Sequence, residues 1–270
     1  MIKEIFGRLG IYEVGFVTFD SLSANLIDCR ATERLPQNAQ SVIVALFPYL
    51  LPEYSPRRNA ARFAVVPDYH EVVGGLLGRA AAELKGLYPE HSFVPFTDNS
   101  PIPEAAAAQA AGLGEIGLHG LLINRRLGTF FAIGELVTTL PVDAAPAEQP
   151  GASLCTGCGR CVKACPAGVL PDGNKKTSCI SCLTQKKGEL TPEETALIRK
   201  SGLAWGCDIC QEVCPANMRI TAAPLKEFTH CAPQGVIEHL TADMPLEGRA
   251  FAWRGRETLC RNLCILEEET

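Results

Sequence analysis

Between Cys155 and Cys214 the chain reads CTGCGRCVKACP (155–166), CISC (179–182) and CDICQEVCP (207–215). Nine cysteines fall in these three groups. The first group is Cys-x2-Cys-x2-Cys-x3-Cys-Pro, a spacing that gives three thiolates to one [4Fe–4S] cluster and sends the fourth to another. The last group is Cys-x2-Cys-x3-Cys-Pro, the same pattern shortened by one ligand. This segment decides the architecture. A small metal-organised module follows whatever the first half of the chain builds.

The interlocked pattern of a two-cluster bacterial ferredoxin pairs the runs crosswise. Cys155, Cys158 and Cys161 then take Cys214, while Cys165 joins Cys207 and Cys210. The second set needs one more thiolate, and CISC offers Cys179 and Cys182. Zinc and disulfides are the competing readings. Two separate Cys-x2-Cys pairs alone would suit zinc. Interlocked Cys-x3-Cys-Pro endings do not suit a zinc ribbon. A disulfide framework is out of place in a 270-residue chain without a secretory signal.

The 270 residues, 47% of them hydrophobic, suffice for one large domain or two modest ones. The formal net charge of −5 gives no electrostatic reason for a broad nucleic-acid footprint. A local basic patch at Arg57, Arg58 and Arg62 stands apart from that balance. Thirteen cysteines point to a reducing compartment and metal binding. The start, MIKEIFGRLG, lacks the apolar core of a signal peptide, and no apolar run approaches a membrane span. A cytoplasmic protein with no membrane partner is expected.

Residues 2–9 read as a short helix, and GFVTF (15–19) and SVIVALF (41–47) as strands. A long helical pattern covers 68–86, and a strand is expected over Ser92–Thr97. Pro101 and Pro103 mark a helix start with Ser100 as a possible cap, leading into EAAAAQAA (104–111). GLGEIGLHG (112–120) follows; its four glycines permit tight backbone or close ligand contact. TFFAIGELVTT (129–139) reads as one strand or two. The expected organisation is an α+β domain over 1–140, a Pro/Ala-rich linker over 141–153, a double-cluster module over 154–220 and a helical extension over 221–270. Cys260 and Cys264, four apart on a predicted helix, are read as buried thiols, as are Cys29 and Cys231.

Several of these stretches, in order, resemble the epoxyqueuosine reductase family. FTDNSPIPEAAAAQAAGLGEIGLHGLLIN (96–124) and GTFFAIGELVT (128–138) are similar to the family's Asp, helix, glycine loop and following strand. ARFAVVPDYHEVV (61–73), CISCLT (179–184), WGCDICQEVCPAN (205–217) and RGRETLCRNL (254–263) match further segments. The resemblance covers most of the chain. It implies a nitroreductase-like cobalamin-binding domain, related to that of reductive dehalogenases, followed by the two-[4Fe–4S] ferredoxin-like module. It also implies reduction of an epoxide, in the family that of epoxyqueuosine in tRNA, within queuosine biosynthesis. In the family's CISYLT, the single Cys matches Cys179 and Tyr stands at Cys182, so the resemblance makes Cys179 the eighth ligand. Two departures stand out. Glu115 replaces a Trp, with Leu118 and His119 in place of Lys-Asn. The family continues into a helical-repeat domain that helps hold tRNA, near where this sequence ends at Thr270. A small-molecule or tRNA-borne substrate is expected, with ferredoxin or flavodoxin as electron donor.

Reducing an epoxide to an alkene takes two electrons and removes the oxygen as water. Clusters deliver electrons singly, so the resemblance places cobalamin where they are used, since the corrin carries the hard chemistry. Asp98 matches the family's general acid. Burial would raise its pKa, whereas the helix start beyond it favours the carboxylate; the plain alternative is a turn or helix cap. Glu104 either positions Asp98 or is solvated. Tyr69 and His70 match a pocket motif and equally suit packing. Gly112, Gly114 and Gly117 are candidates to admit the corrin edge or a phosphate, and His119 is a candidate cobalt ligand. The competing functions are an electron carrier without its own substrate and a cobalamin-binding accessory protein.

Overall fold

The computed structural model describes residues 1–143, 153–171, 175–218, 220, 222–230 and 235–267. These fall into two compact units. The first takes Met1–Pro48, His70–Gly117 and Leu121–Thr156; the second takes Tyr49–Tyr69, Leu118–Gly120 and Gly157–Thr270. Most of the expected linker, and Cys231, lie outside the described residues.

The first unit is built on a four-stranded antiparallel sheet ordered β1-β2-β6-β3. Its strands are β1 (Val14–Thr18), β2 (Ser41–Pro48), β3 (Phe93–Thr97) and β6 (Phe131–Thr138). β2 is central, which is why Val42–Phe47 form an unbroken apolar run rather than an alternating one: all six are fully buried. β3 pairs only with β6, and an edge strand tolerates Pro95, which has no N–H for a ladder. Arg34 Nη2 donates to the Pro95 carbonyl (2.5 Å). TFFAIGELVTT supplies one strand, β6, rather than two.

Successive residues of a strand face opposite ways, so Gly134 and Glu135 of β6 look to different sides of the sheet. On the Gly134 side lies the long helix Tyr69–Leu87, which buries Val73, Leu76, Leu77, Ala80 and Leu84. Each buried Leu contributes roughly 1.5–3 kcal/mol. A Cβ on Gly134 would meet Val73 at 2.6 Å, and Leu77 and Phe47 at 2.9 Å. The missing side chain is what lets the helix sit this close. On the other side, Gly15, Val44, Glu135 and Phe96 form one row across the sheet. There the helix Glu104–Ala110 ends on the sheet, with the Ala111 carbonyl 2.3 Å from where a Gly15 Cβ would be. Two short strands, β4 (Glu115–Ile116) and β5 (Leu122–Ile123), complete the unit as a small antiparallel pair.

The second unit is an assembly of short helices. Pro192–Ser201 has the full set of end signals: Thr191 forms a capping box with Glu194, Pro192 opens the helix, and Gly202 (φ 67°) closes it. Its Ile198 packs with Ile180, Leu183 and Ile265. The terminal helix Arg256–Glu267 buries Thr258, Leu259, Asn262, Leu263 and Ile265. Asn262 Nδ2 donates to the carbonyls of Thr184 (2.7 Å) and Ala204 (2.8 Å), tying three segments together. This face corrects the expected buried thiols. Cys264 is exposed and Cys260 half-buried, because both sit round the helix from the Leu259–Leu263 face; Cys29 is also only half-buried. Among the described residues no helix is long and apolar enough to cross a membrane.

Candidate functional site

The first unit gathers three of the residues singled out above. β3 ends at Thr97, and Asp98 turns the chain with φ 59°; it is the sole non-glycine residue with positive φ among those described. Asp tolerates this left-handed geometry better than most residues, at a cost of about 1–3 kcal/mol. The twist leaves the Asp98 side chain 59% exposed. From the first turn of the long helix, His70 Nε2 lies 3.1 Å from Asp98 Oδ2. From the opposite side of the turn, Glu104 Oε1 accepts the backbone N–H of Asp98 at 2.8 Å.

Glu104 is not solvated. Burial, then the nearby Asp98 charge, raises its carboxyl from the usual range to about 7; the Asp98 N–H and His70 oppose the rise. Behind it lies Glu135, fully buried in the sheet row that faces the Glu104 helix. Burial and the Glu104 charge push Glu135 well above the ordinary carboxylate range, against the Ser100 hydroxyl, which donates to its Oε2 at 2.6 Å. Ser100 is therefore not the helix cap. Its Oγ accepts the Ile102 N–H (3.1 Å) and serves Glu135, while Pro103 occupies the cap position. Glu135 was missed in the sequence, and Ser100 was read there only as a possible cap. The available signal was one acidic residue within an otherwise apolar strand, GELV.

The glycine loop has a role in the fold itself. Gly112 (φ 77°) follows the end of the Glu104 helix. Gly114 lets β4 approach β5, since a Cβ there would lie 2.2 Å from the Ile123 carbonyl. The Gly117 N–H donates to the Leu121 carbonyl (3.0 Å) across the same turn. Glu115, where the resembling family has Trp, accepts Ser153 Oγ (2.7 Å) and the Leu154 N–H (2.7 Å), anchoring the backbone just before Cys155. Ile116 and Leu121 leave apolar surface 37% exposed at this turn.

In the second unit, His119 is buried at 4% exposure, and Tyr69 stacks edge-on against Phe63 at 5.9 Å. The basic patch is committed to internal ion pairs. Arg62 donates to Asp208 Oδ2 from its backbone N–H (2.9 Å) and Nη1 (3.0 Å). Arg58 Nη2 reaches Glu212 Oε1 at 2.7 Å, and Arg57 pairs with Glu238 at 3.5 Å. Asp208 lies within the last cysteine run and is 2% exposed. Just before it, Gly206 (φ 68°) allows close approach to Ala61 and Phe63; a Cβ there would be 2.7 Å from each.

The cysteines sit mostly at the ends of short helices. Cys161 lies within Arg160–Ala164 and Cys165 ends it; Cys210 lies within Ile209–Glu212; Cys214 precedes Pro215. Cys155 is half-buried and Cys158 exposed. Cys179 is the extended residue ahead of the helix Ile180–Gln185, whereas Cys182 is inside that helix. Burial raises the Cys207 thiol to about 12, and the neighbouring Cys210 and Cys179 add to the rise. Cys179 therefore lies within electrostatic reach of Cys207, one of the three thiols whose set lacks a fourth. An iron–sulfur centre would take these thiols as thiolates, offsetting the penalty of their burial. Among the described residues no three His, Cys, Asp or Glu side chains converge as a single-ion site.

Comparison with known proteins gives a consistent picture. Residues 154–217 match the family described as 4Fe-4S double cluster binding domain, and residues 30–99 match Epoxyqueuosine reductase QueG, DUF1730. The epoxyqueuosine reductase of Burkholderia pseudomallei is 36% identical over 216 residues, 73% of this chain and 52% of that protein. That of Gloeobacter violaceus is 30% identical over 220 residues, 79% of this chain and 68% of that protein. The structure of epoxyqueuosine reductase from Streptococcus thermophilus superposes with a TM-score of 0.80 at 26% identity, covering 98% of this chain and 79% of that one. The chain spans about half the length of several curated relatives it matches: 52%, 57% and 45%.

Proposed function

The chain belongs to the epoxyqueuosine reductase family, and on that premise we propose that it is an iron–sulfur reductase that opens an epoxide with Asp98 as proton donor. The observation that carries this reading is Asp98 itself: an exposed carboxyl bonded to His70, in a strained turn whose backbone N–H is held by Glu104. Strain of this kind persists where the surrounding structure fixes it, and it concentrates at functional sites.

The proposed electron path uses two [4Fe–4S] clusters. Cys155, Cys158, Cys161 and Cys214 hold one; Cys165, Cys179, Cys207 and Cys210 hold the other. The proximity of Cys179 to Cys207 supports the second set. Cobalamin, when bound, would supply the centre at which two electrons are delivered to the substrate carbon. Ile116 and Leu121 offer apolar surface that a corrin would cover. The glycines fit that role less well, because the chain's own backbone fills the space at Gly114. The nitroreductase-like description of the first unit belongs to the same proposal.

The residues have distinct tasks. Asp98 gives its proton to the epoxide oxygen as the C–O bond breaks, preventing build-up of alkoxide charge. His70 orients the carboxyl. Glu104 fixes the turn through the backbone. Epoxyqueuosine, carried on tRNA, is the proposed substrate, ferredoxin or flavodoxin the donor, and the cytoplasm the setting.

The test is cofactor loading. Anaerobic reconstitution followed by cobalamin addition and desalting should leave two clusters' worth of iron and sulfide, with corrin retained. Full clusters without retained corrin would overturn the cobalamin reading and leave an electron carrier.

A further inference from the structure

We propose that Glu104 is a second proton-carrying residue of this site, returning a proton to the Asp98 carboxylate after the first has been delivered. The inference rests on the reductase reading and extends it to a residue whose hydrogen bond already fixes the Asp98 turn.

The stoichiometry calls for it. Epoxide plus two electrons and two protons gives alkene plus water: both C–O bonds break, and the oxygen leaves with two new O–H bonds. The clusters supply the electrons. Asp98 holds one proton at a time, so its carboxylate must be reprotonated before the oxygen can leave as water.

The geometry supports Glu104 as the source. Its carboxyl is fixed to Asp98 by the 2.8 Å bond from the Asp98 N–H. Oε1 accepts that bond, and Oε2 is available to carry a proton. The charged groups that act on Glu104 are Asp98 from the turn and His70 from the long helix, and Glu104 in turn acts on Glu135 of β6. The Asp98 charge raises the Glu104 carboxyl, so the two resist double ionisation. Glu135 is the fixed back wall. It accepts the Ser100 hydroxyl and is fully buried, and burial pushes its carboxyl well above the ordinary range, toward the neutral acid. The neutral-range titration of Glu104 matches the work required of a group that gives and regains a proton near pH 7.

The experiment is an isotope-edited infrared pH titration of the full chain labelled with 13C-glutamate, run alongside turnover of the reconstituted enzyme. One glutamic acid carbonyl band should titrate near pH 7. It should vanish in Glu104→Gln, persist in Glu135→Gln, and shift to lower pH in Asp98→Asn, which removes the like charge. Glu104→Gln should also slow turnover roughly tenfold or more above neutral pH with little change in KM, and small protonated buffer acids should restore the rate. A merely structural role would show no buffer rescue. Absence of the titrating band, or a wild-type pH–rate profile in Glu104→Gln, would overturn the proposal. A band in place with no turnover by the wild-type enzyme would instead count against the reductase reading and leave the acid pair standing.

Discussion

His70 Nε2 lies 3.1 Å from Asp98 Oδ2, joining the first turn of the long helix to the left-handed turn after β3. The two residues are 28 positions apart, and their contact turns a strand end and a helix start into one site. The first prediction tests it. Asp98→Asn keeps a side chain that tolerates positive φ and can still bond His70, but it has no acid proton. Turnover should fall by roughly 10²-fold or more, while iron, sulfide and corrin contents stay at wild-type levels. Unchanged turnover would remove Asp98 from the chemistry.

Glu104 gives a prediction about stability with a definite sign. Its folded-state pKa of about 7 lies above the ordinary carboxylate value. Between those two values the folded chain binds more protons than the unfolded one, so stability falls as pH rises through that window. Glu104→Gln keeps an acceptor for the Asp98 N–H and has no charge to bury. By scanning calorimetry the variant should match wild type at pH 4 and be more stable by roughly 1–3 kcal/mol at pH 8. Equal melting temperatures at both pH values would contradict the burial argument.

The ligand assignment separates two cysteines only three residues apart. Cys179→Ser should lose about one cluster's iron and sulfide on reconstitution, because it sits at the helix entrance near Cys207. Cys182→Ser should retain both clusters. The reverse pattern, read by iron analysis and low-temperature magnetic resonance, would transfer the ligand role to Cys182.

Gly134 tests the packing of the first unit. Alanine there would force its methyl against Val73, Leu77 and Phe47. Overpacking of this kind costs about 1–3 kcal/mol, and chemical denaturation should show it. A neutral result would mean that the long helix has slack at this contact.

Much of this was legible in the sequence, and what was not has a physical reason. The double-cluster segment from Cys155 to Cys214 could be read from spacing, because ligands to one cluster must recur at short intervals. β2 was visible as SVIVALF, since a strand covered on both faces is apolar throughout. The helix Pro192–Ser201 went unread although Thr191, Pro192, Glu194 and Gly202 mark both its ends. The discontinuous units were hidden. Nothing near residues 49–69 says that Ala60 will bridge to Trp205. Glu104 was left undecided for the same reason. Its carboxyl is raised by burial and by the Asp98 charge, with His70, 34 residues before it in the chain, opposing the rise. The thiols of Cys260 and Cys264 misled because a four-residue spacing shows that they share a face but not which face.

The central claim is that this chain reduces an epoxide at Asp98 with electrons from its clusters. Its most direct test is product formation under strictly anaerobic conditions. Reconstituted protein, cobalamin and a low-potential donor are mixed with tRNA carrying epoxyqueuosine, and the nucleosides are separated by mass. The account predicts conversion to queuosine, a product lighter by one oxygen. Recovery of unchanged epoxyqueuosine from protein holding both clusters and corrin would contradict it.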